Sequence, residues 1–278
     1  MRGAVDVPAL LCLRDDTRRM FREALASQGR VILALILREA RTRYGRHKLG
    51  YLWALIEPFL HIGMFMLLFS YMGRHVALGD SIPMFLATGF ATYIGFRNVL
   101  NRTRGGYNSN QGLLAFPPVK VMDVFVGRAL LELATWITVT SILMTVLIAF
   151  GHGGAPRSIP MMLMAIFALF AIGFGVGTFI GILGEFVPSL ANVLGIPLRL
   201  LYLMSGIFYL PEAMAPAFRD ILIWNPVVHG ITLFRMGYYE YYDSFAFDAN
   251  YLLIWSIAAV FIALVAERVA RKPLRALS

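Results

Sequence analysis

The chain has 278 residues, 59 % of them apolar and only 15 % charged, with a mean hydropathy of +0.69. Soluble domains sit nearer one-half apolar, so that class is excluded and an integral membrane protein is implied. The net charge of +9 does not point to nucleic acid, because most cations flank apolar runs, and the single cysteine, Cys12, excludes an intrachain disulfide and multi-cysteine metal clusters.

From the N-terminus, Asp15, Asp16, Arg18, Arg19, Arg22 and Glu23 leave no apolar core for a cleavable signal. This polar segment predicts a short helix around Asp15 to Ser27, held in the cytosol. Val31 to Leu37 is an apolar run bounded by Arg30 and Arg38 and is too short to span. It reads as an interfacial helix with its arginines at lipid phosphates, the competing reading being an extension of the first span. A cationic block follows, Arg38, Arg41, Arg43, Arg46 and Lys48, and passes without a turn into the apolar run Leu49 to Met72. About 20 apolar residues cross the roughly 30 Å hydrocarbon core, and the cations ahead of them belong on the cytoplasmic side.

This stretch carries a resemblance. Arg41-Thr-Arg-Tyr-Gly-Arg, then Leu49-Gly-Tyr-Leu-Trp-Ala-Leu-Ile-Glu-Pro and His61-Ile, resemble the opening of the inner-membrane permease subunits of type 2 ABC exporters of capsular polysaccharide. The same residues separate capsule export from O-antigen or teichoic acid export less sharply.

Hydropathy places six spans, near Leu49 to Met72, Ile82 to Leu100, Val124 to Phe150, Pro160 to Leu183, Ser189 to Leu210 and Tyr251 to Val269. Eleven Lys and Arg precede the first span, the loop from Asn101 to Asp123 holds three, and Arg268, Arg271, Lys272 and Arg275 lie at or beyond the end of the last. The opposite loops hold Arg74, Arg157, Arg219 and Arg235, offset by acids. Both termini are therefore expected in the cytoplasm, as an even number of spans also requires. The expected division is a cytoplasmic segment 1–48, a transmembrane domain 49–269 and a tail 270–278.

The loop after the second span mixes polar residues with Leu113, Leu114 and Phe116 before Pro117 and Pro118 stop it. Such a piece forms a short helix across the membrane plane with one apolar face. The resemblance makes it a coupling helix (loop 101–123) inserted into an ATPase subunit, with Arg104, Tyr107, Asn108, Gln111, Leu113, Leu114 and Phe116 as the contact set. In the fourth span Gly173, Gly177 and Gly181 recur every four residues, which suits close helix packing. The glycine spacing does not fit a nucleotide loop.

Between the fifth and sixth spans, Phe218 to Trp224 and Val227 to Phe234 are too short to span and are separated by Asn225-Pro226. Two half-helices that dip in and return are expected (211–250), which requires protein or a wet cavity around them. The resemblance makes this hairpin an outer gate, with Trp224, Asn225, Pro226 and His229 at its turn.

Glu57 and His61 lie four apart and share a helix face, yet nothing completes an enzymatic or metal site around them. Ionisable residues in spans face the bundle or a wet path. Arg199, in the fifth span, is either a partner for Glu57 or a cation facing an anionic polymer. Phe59, Tyr93, Tyr202, Phe208 and Tyr209 supply flat faces on which sugar rings can stack. Tyrosine and tryptophan belts alone account for most other aromatics.

No G-x-x-x-x-G-K-[ST] occurs, so any ATP-driven work requires a second chain. The fold expected is all-α and integral to the membrane, with six spans, an interfacial helix, a coupling helix and a re-entrant outer pair. By resemblance it is a bacterial inner-membrane permease, two copies with two ATPase subunits, moving a polysaccharide, lipid-linked or free, toward a periplasmic export partner. No cofactor, metal or catalytic residue is expected. The reading from another class is a membrane-embedded transferase acting on lipid-linked substrates, and a third is a non-transporting assembly anchor.

Overall fold

The computed structural model describes residues 7–44, 49–73, 77–114 and 119–276. Arg46, Lys48, Phe116, Pro117 and Pro118, which the sequence reading singles out, lie outside the described residues. Every regular element among the described residues is helical, in agreement with the all-α expectation.

The chain begins with α1 (Val7–Tyr44) and α2 (Leu49–Tyr71). The separate helices expected at Asp15 to Ser27 and at Val31 to Leu37 are parts of this one α1. No proline interrupts the segment, and a Cβ on Gly29 would meet nothing within 4 Å, so a single glycine does not break it. Next comes α3 (Ile82–Arg104), with Ser81 accepting from the Met84 N–H at 3.5 Å and Pro83 in its first turn. A 3₁₀ turn at Asn108–Asn110 leads into the four-residue α4 (Gln111–Leu114).

Two long apolar helices follow, α5 (Val121–Ala149) and α6 (Ile159–Phe186). The next segment differs from expectation. Instead of one unbroken helix from Ser189 to Leu210, the chain forms α7 (Pro188–Val193) and α8 (Gly195–Leu203), then turns at Gly206 with φ +75°. Pro197 has no N–H to offer the Val193 carbonyl, which places the break at Leu194. After a 3₁₀ turn at Pro211–Ala213 come α9 (Pro216–Leu222) and α10 (Pro226–Tyr238), and finally α11 (Ala249–Ala276).

Among the described residues, three stretches are long and apolar enough to cross a membrane: α5, α6 and Ala249–Arg271 of α11. At the centre is α6, packed against α3, α10 and α11. Its glycines explain the closeness. A Cβ on Gly173 would lie 3.1 Å from the Phe96 carbonyl and one on Gly181 2.7 Å from that of Arg104, while on Gly177 it would collide with Thr103 and on Gly175 with Ala259. The bundle's basal end carries residues 105–114, which follow α3, and its apical end carries α9 and α10.

Candidate functional site

At the basal end, α1 lies against α5 and clamps the loop that follows α3. The Gln28 side chain donates to Asp123, and Lys120 donates to Gln28 at 3.0 Å. Arg128 forms an ion pair with Glu39 at 2.9 Å and donates to the Gly105 carbonyl at 2.7 Å, while Arg102 lies 3.8 Å from Glu132. Within the loop, Asn110 is buried, accepting from Arg38 at 3.1 Å and donating to the Gly106 carbonyl at 3.0 Å. Tyr107 is buried as well, its hydroxyl donating to the Leu274 carbonyl of α11 at 2.7 Å. Burial, with Glu185 second, pushes its phenol up, so it remains a donor.

These anchors present Asn108, Ser109, Gln111 and Gly112 outward. Arg104 ends α3 and lines a cavity of about 390 Å³ with Asn108 and Glu185. Leu113 is half-buried and Leu114 ends α4. Of the seven residues assigned to coupling, Arg104, Asn108 and Gln111 thus sit at the surface of one knob or its cavity, and Tyr107 holds the knob from inside.

Midway along the bundle, Glu57 and His61 occupy one face of α2, but their side chains do not pair. His61 Nδ1 lies 3.0 Å from the Glu57 backbone carbonyl and its ring packs 5.9 Å from Phe90. Glu57 pairs instead with Arg97 of α3, at 3.3 Å. The sequence reading passed over Arg97, although a cation inside the predicted second span was the signal that could have found it. Arg199 is exposed on α8 and has no carboxylate partner among the described residues.

Tyr93 is buried, its hydroxyl 3.4 Å from the Leu198 carbonyl and its ring 5.3 Å from that of half-buried Tyr202. Tyr202 in turn packs on Phe208 at 5.6 Å, and Phe208 on Phe65 at 4.7 Å. Phe59 is half-buried against this core. Tyr209 is half-buried on the turn after α8, with its hydroxyl on the Leu203 carbonyl at 3.0 Å.

The apical hairpin is tied together at its turn. Asn225 caps α10 by accepting from the Val227 N–H at 3.0 Å, and its amide donates to the Met204 carbonyl at the end of α8, also at 3.0 Å. Pro226 fits the first turn of α10, where no N–H is needed. His229 Nε2 lies 2.8 Å from the Ile223 carbonyl, and Nδ1 accepts from the Asp248 N–H at 3.0 Å, so the donor is Nε2. Trp224 is exposed, while its carbonyl accepts from the Tyr251 hydroxyl at 2.6 Å. Glu212 takes the Tyr242 hydroxyl at 3.2 Å and that of Ser244, and burial, with Glu212 second, pushes the Tyr242 phenol up.

One cation in this hairpin is placed differently from expectation. Arg235, counted with the outer loops from sequence, is 1 % exposed. Its guanidinium donates to the carbonyls of Gly206 at 2.7 Å, Ile207 at 2.8 Å and Tyr209 at 3.2 Å, and lies 4.2 Å over the Phe85 ring. No carboxylate pairs with it among the described residues. A buried charge costs several kcal/mol, and here carbonyl dipoles and a ring face offset that cost. The result fixes the turn after α8 to α10 and α3. Beside the hairpin, Asp80, His152, Tyr238, Tyr239 and Tyr241 line a cavity of about 830 Å³.

The family profile described as ABC-2 type transporter matches residues 30–239. Over 249 residues the chain is 32 % identical to the "Polysialic acid transport protein KpsM" of Escherichia coli, covering 90 % of this chain and 96 % of that one. It is 31 % identical to the "Capsule polysaccharide export inner-membrane protein BexB" of Haemophilus influenzae, covering 88 % and 92 %. Identity to the "Capsule polysaccharide export inner-membrane protein CtrC" of Neisseria meningitidis serogroup B is 34 % over 221 residues, covering 79 % and 83 %.

Proposed function

The chain belongs to the ABC-2 type transporter family, and from that premise we propose that it is the permease through which capsular polysaccharide leaves the cytoplasm. It is a membrane component of an ATP-driven transporter and not an enzyme, and its ATPase is a separate partner. The observation that carries the substrate class is similarity along about nine-tenths of the chain to proteins named for capsule export.

The physical need is plain. A hydrated polysaccharide cannot cross hydrocarbon, since each unpaired hydroxyl costs kcal/mol to desolvate. One bundle of this size is small for a walled path, so two copies face each other. Six spans place both termini in the cytoplasm, where the basal knob of Asn108 and Gln111 receives the push of two ATPase subunits. Leu113 adds apolar surface at that knob, and by the family resemblance Leu114 and Phe116 share in the ATPase contact. The half-buried Glu57, Phe59, Tyr202 and Tyr209, with His61 and Arg199, border the path, and buried Tyr93 backs Tyr202. The hairpin turn at Trp224, Asn225, Pro226 and His229 forms the gate, beyond which a periplasmic partner takes the polymer.

The test is a strain that lacks this chain. Loss of surface polysaccharide with polymer retained in the cytosol is expected, restored by the wild-type chain and not by Gln111→Trp, which crowds the knob. Unchanged surface polysaccharide contradicts the reading.

A further inference from the structure

The pair between Glu57 and Arg97 is more open than the two tightest ion pairs of the bundle. Arg128 and Glu39 are 11 % and 16 % exposed, and Arg271 meets both oxygens of Glu267, at 3.0 and 2.8 Å. Glu57 and Arg97 are 35 % and 38 % exposed and share a single contact at 3.3 Å. A guanidinium can present two parallel donors to a carboxylate or phosphate, and here Glu57 takes only one of them, through a single oxygen.

Its position is equally specific. Glu57 continues a helical stripe with Leu60, Met64, Leu67 and Tyr71, all of them exposed on α2. Glu57 lies about 12 Å above the start of α2, and Arg97 about 10 Å above the end of α3, so both occupy one level within the apolar depth. Tyr202, on α8, packs against the same helix as Arg97, its ring 5.3 Å from that of Tyr93 and 6.3 Å from that of Phe90. From there the packed rings of Tyr202, Phe208 and Phe65 lead on to Phe69, 6.4 Å from Phe65. Ionisable groups at such depth belong on a wet path.

We propose that Arg97 is the residue by which this path takes hold of negatively charged polymer, and that Glu57 occupies its guanidinium when no polymer is present. The inference rests on the transport reading and adds to it the residue that holds the polymer's carboxylate or phosphate groups. Exchange needs no net loss of charge pairing. An incoming anion replaces Glu57 on Arg97, and Glu57, one-third exposed, turns to water.

The experiment uses the full chain with its ATPase partner in liposomes, reading stimulation of ATP hydrolysis by polygalacturonate oligomers against dextran of equal length. Polygalacturonate, not dextran, is expected to stimulate. Arg97→Gln should raise the half-maximal polygalacturonate concentration at least tenfold, Arg97→Lys by less, and Glu57→Gln should lower it severalfold. The swapped double variant R97E/E57R should remain as poor as R97Q. Equal loss in R97Q and E57Q with recovery in the swap, or failure of both single variants to accumulate, would make the pair structural and overturn the proposal. So would a wild-type response to dextran equal to that to polygalacturonate, or none to either. A deletion strain that keeps its surface polysaccharide overturns the transport reading itself, whatever the titration gives.

Discussion

Two faces of this molecule are equally oily and equally exposed, yet chemically unlike. On α11, Leu253, Ile254, Ile257, Phe261, Ile262, Leu264 and Val265 are exposed, and the sequence from Leu252 to Ala266 contains no charge. On α2 and α8, Leu60, Met64, Leu67, Leu200 and Leu203 are as open, but Glu57 and Arg199 stand among them, with Arg97 of α3 paired to Glu57. Lipid tolerates the first composition and penalises the second. The composition along α11 suits a lipid boundary, whereas that along α2 and α8 suits the polymer path proposed above.

A charge placed on each face separates them most strongly. Phe261→Lys, at the centre of the uncharged stretch, should cost about 3 kcal/mol of insertion and leave little chain in carbonate-washed membranes. Leu200→Lys, next to Arg199, should accumulate near the wild-type level. Equal loss of both would erase the distinction.

A comparable effect is expected where the charged side is secured. Arg235→Met leaves the carbonyls of Gly206, Ile207 and Tyr209 without their donor, a loss of about 3 kcal/mol. Thermal unfolding of the purified chain in detergent would show it, with hydrogen exchange rising around residues 204–210 and not along α11. Arg235→Lys should recover part, since an ammonium lacks the planar fork.

Asn225→Ala removes a helix cap and the link to Met204, and should cost about 1 kcal/mol in the same melt. The smallest effect is expected on α2 itself. A Cβ on Gly63 meets nothing within 4 Å, so Gly63→Ala should stabilise the isolated chain by up to about 1 kcal/mol. A destabilised melt would mean that the face is closed within one chain.

How much of this was visible in the sequence follows from what each feature depends on. The long helices and the hairpin break came from hydropathy and from Asn225-Pro226, which act locally. The break within the expected fifth span is hidden by averaged hydropathy, although Pro197, the residue that breaks the helix, is in plain view. Arg235 could not be read at all. It looks like a loop cation beside Met236, Gly237 and Tyr238, and its partners are carbonyls 26 to 29 residues away, brought to it by the turn at Gly206. Arg97 was legible as an arginine within a predicted span, but its pairing with Glu57, 40 residues earlier, needed the α2 and α3 contact. The knob's exposed rim follows from local pattern, whereas the burial of Tyr107 depends on α11, 167 residues on.

The most direct test places a photoreactive phenylalanine analogue at Tyr202, on the charged side, and separately at Phe261, on the uncharged side, in cells actively making surface polymer. Illumination should attach polysaccharide to the chain labelled at position 202 and leave the chain labelled at 261 free of it. Attachment at both positions alike, or at 261 only, would contradict the assignment of the α2 and α8 side to the polymer.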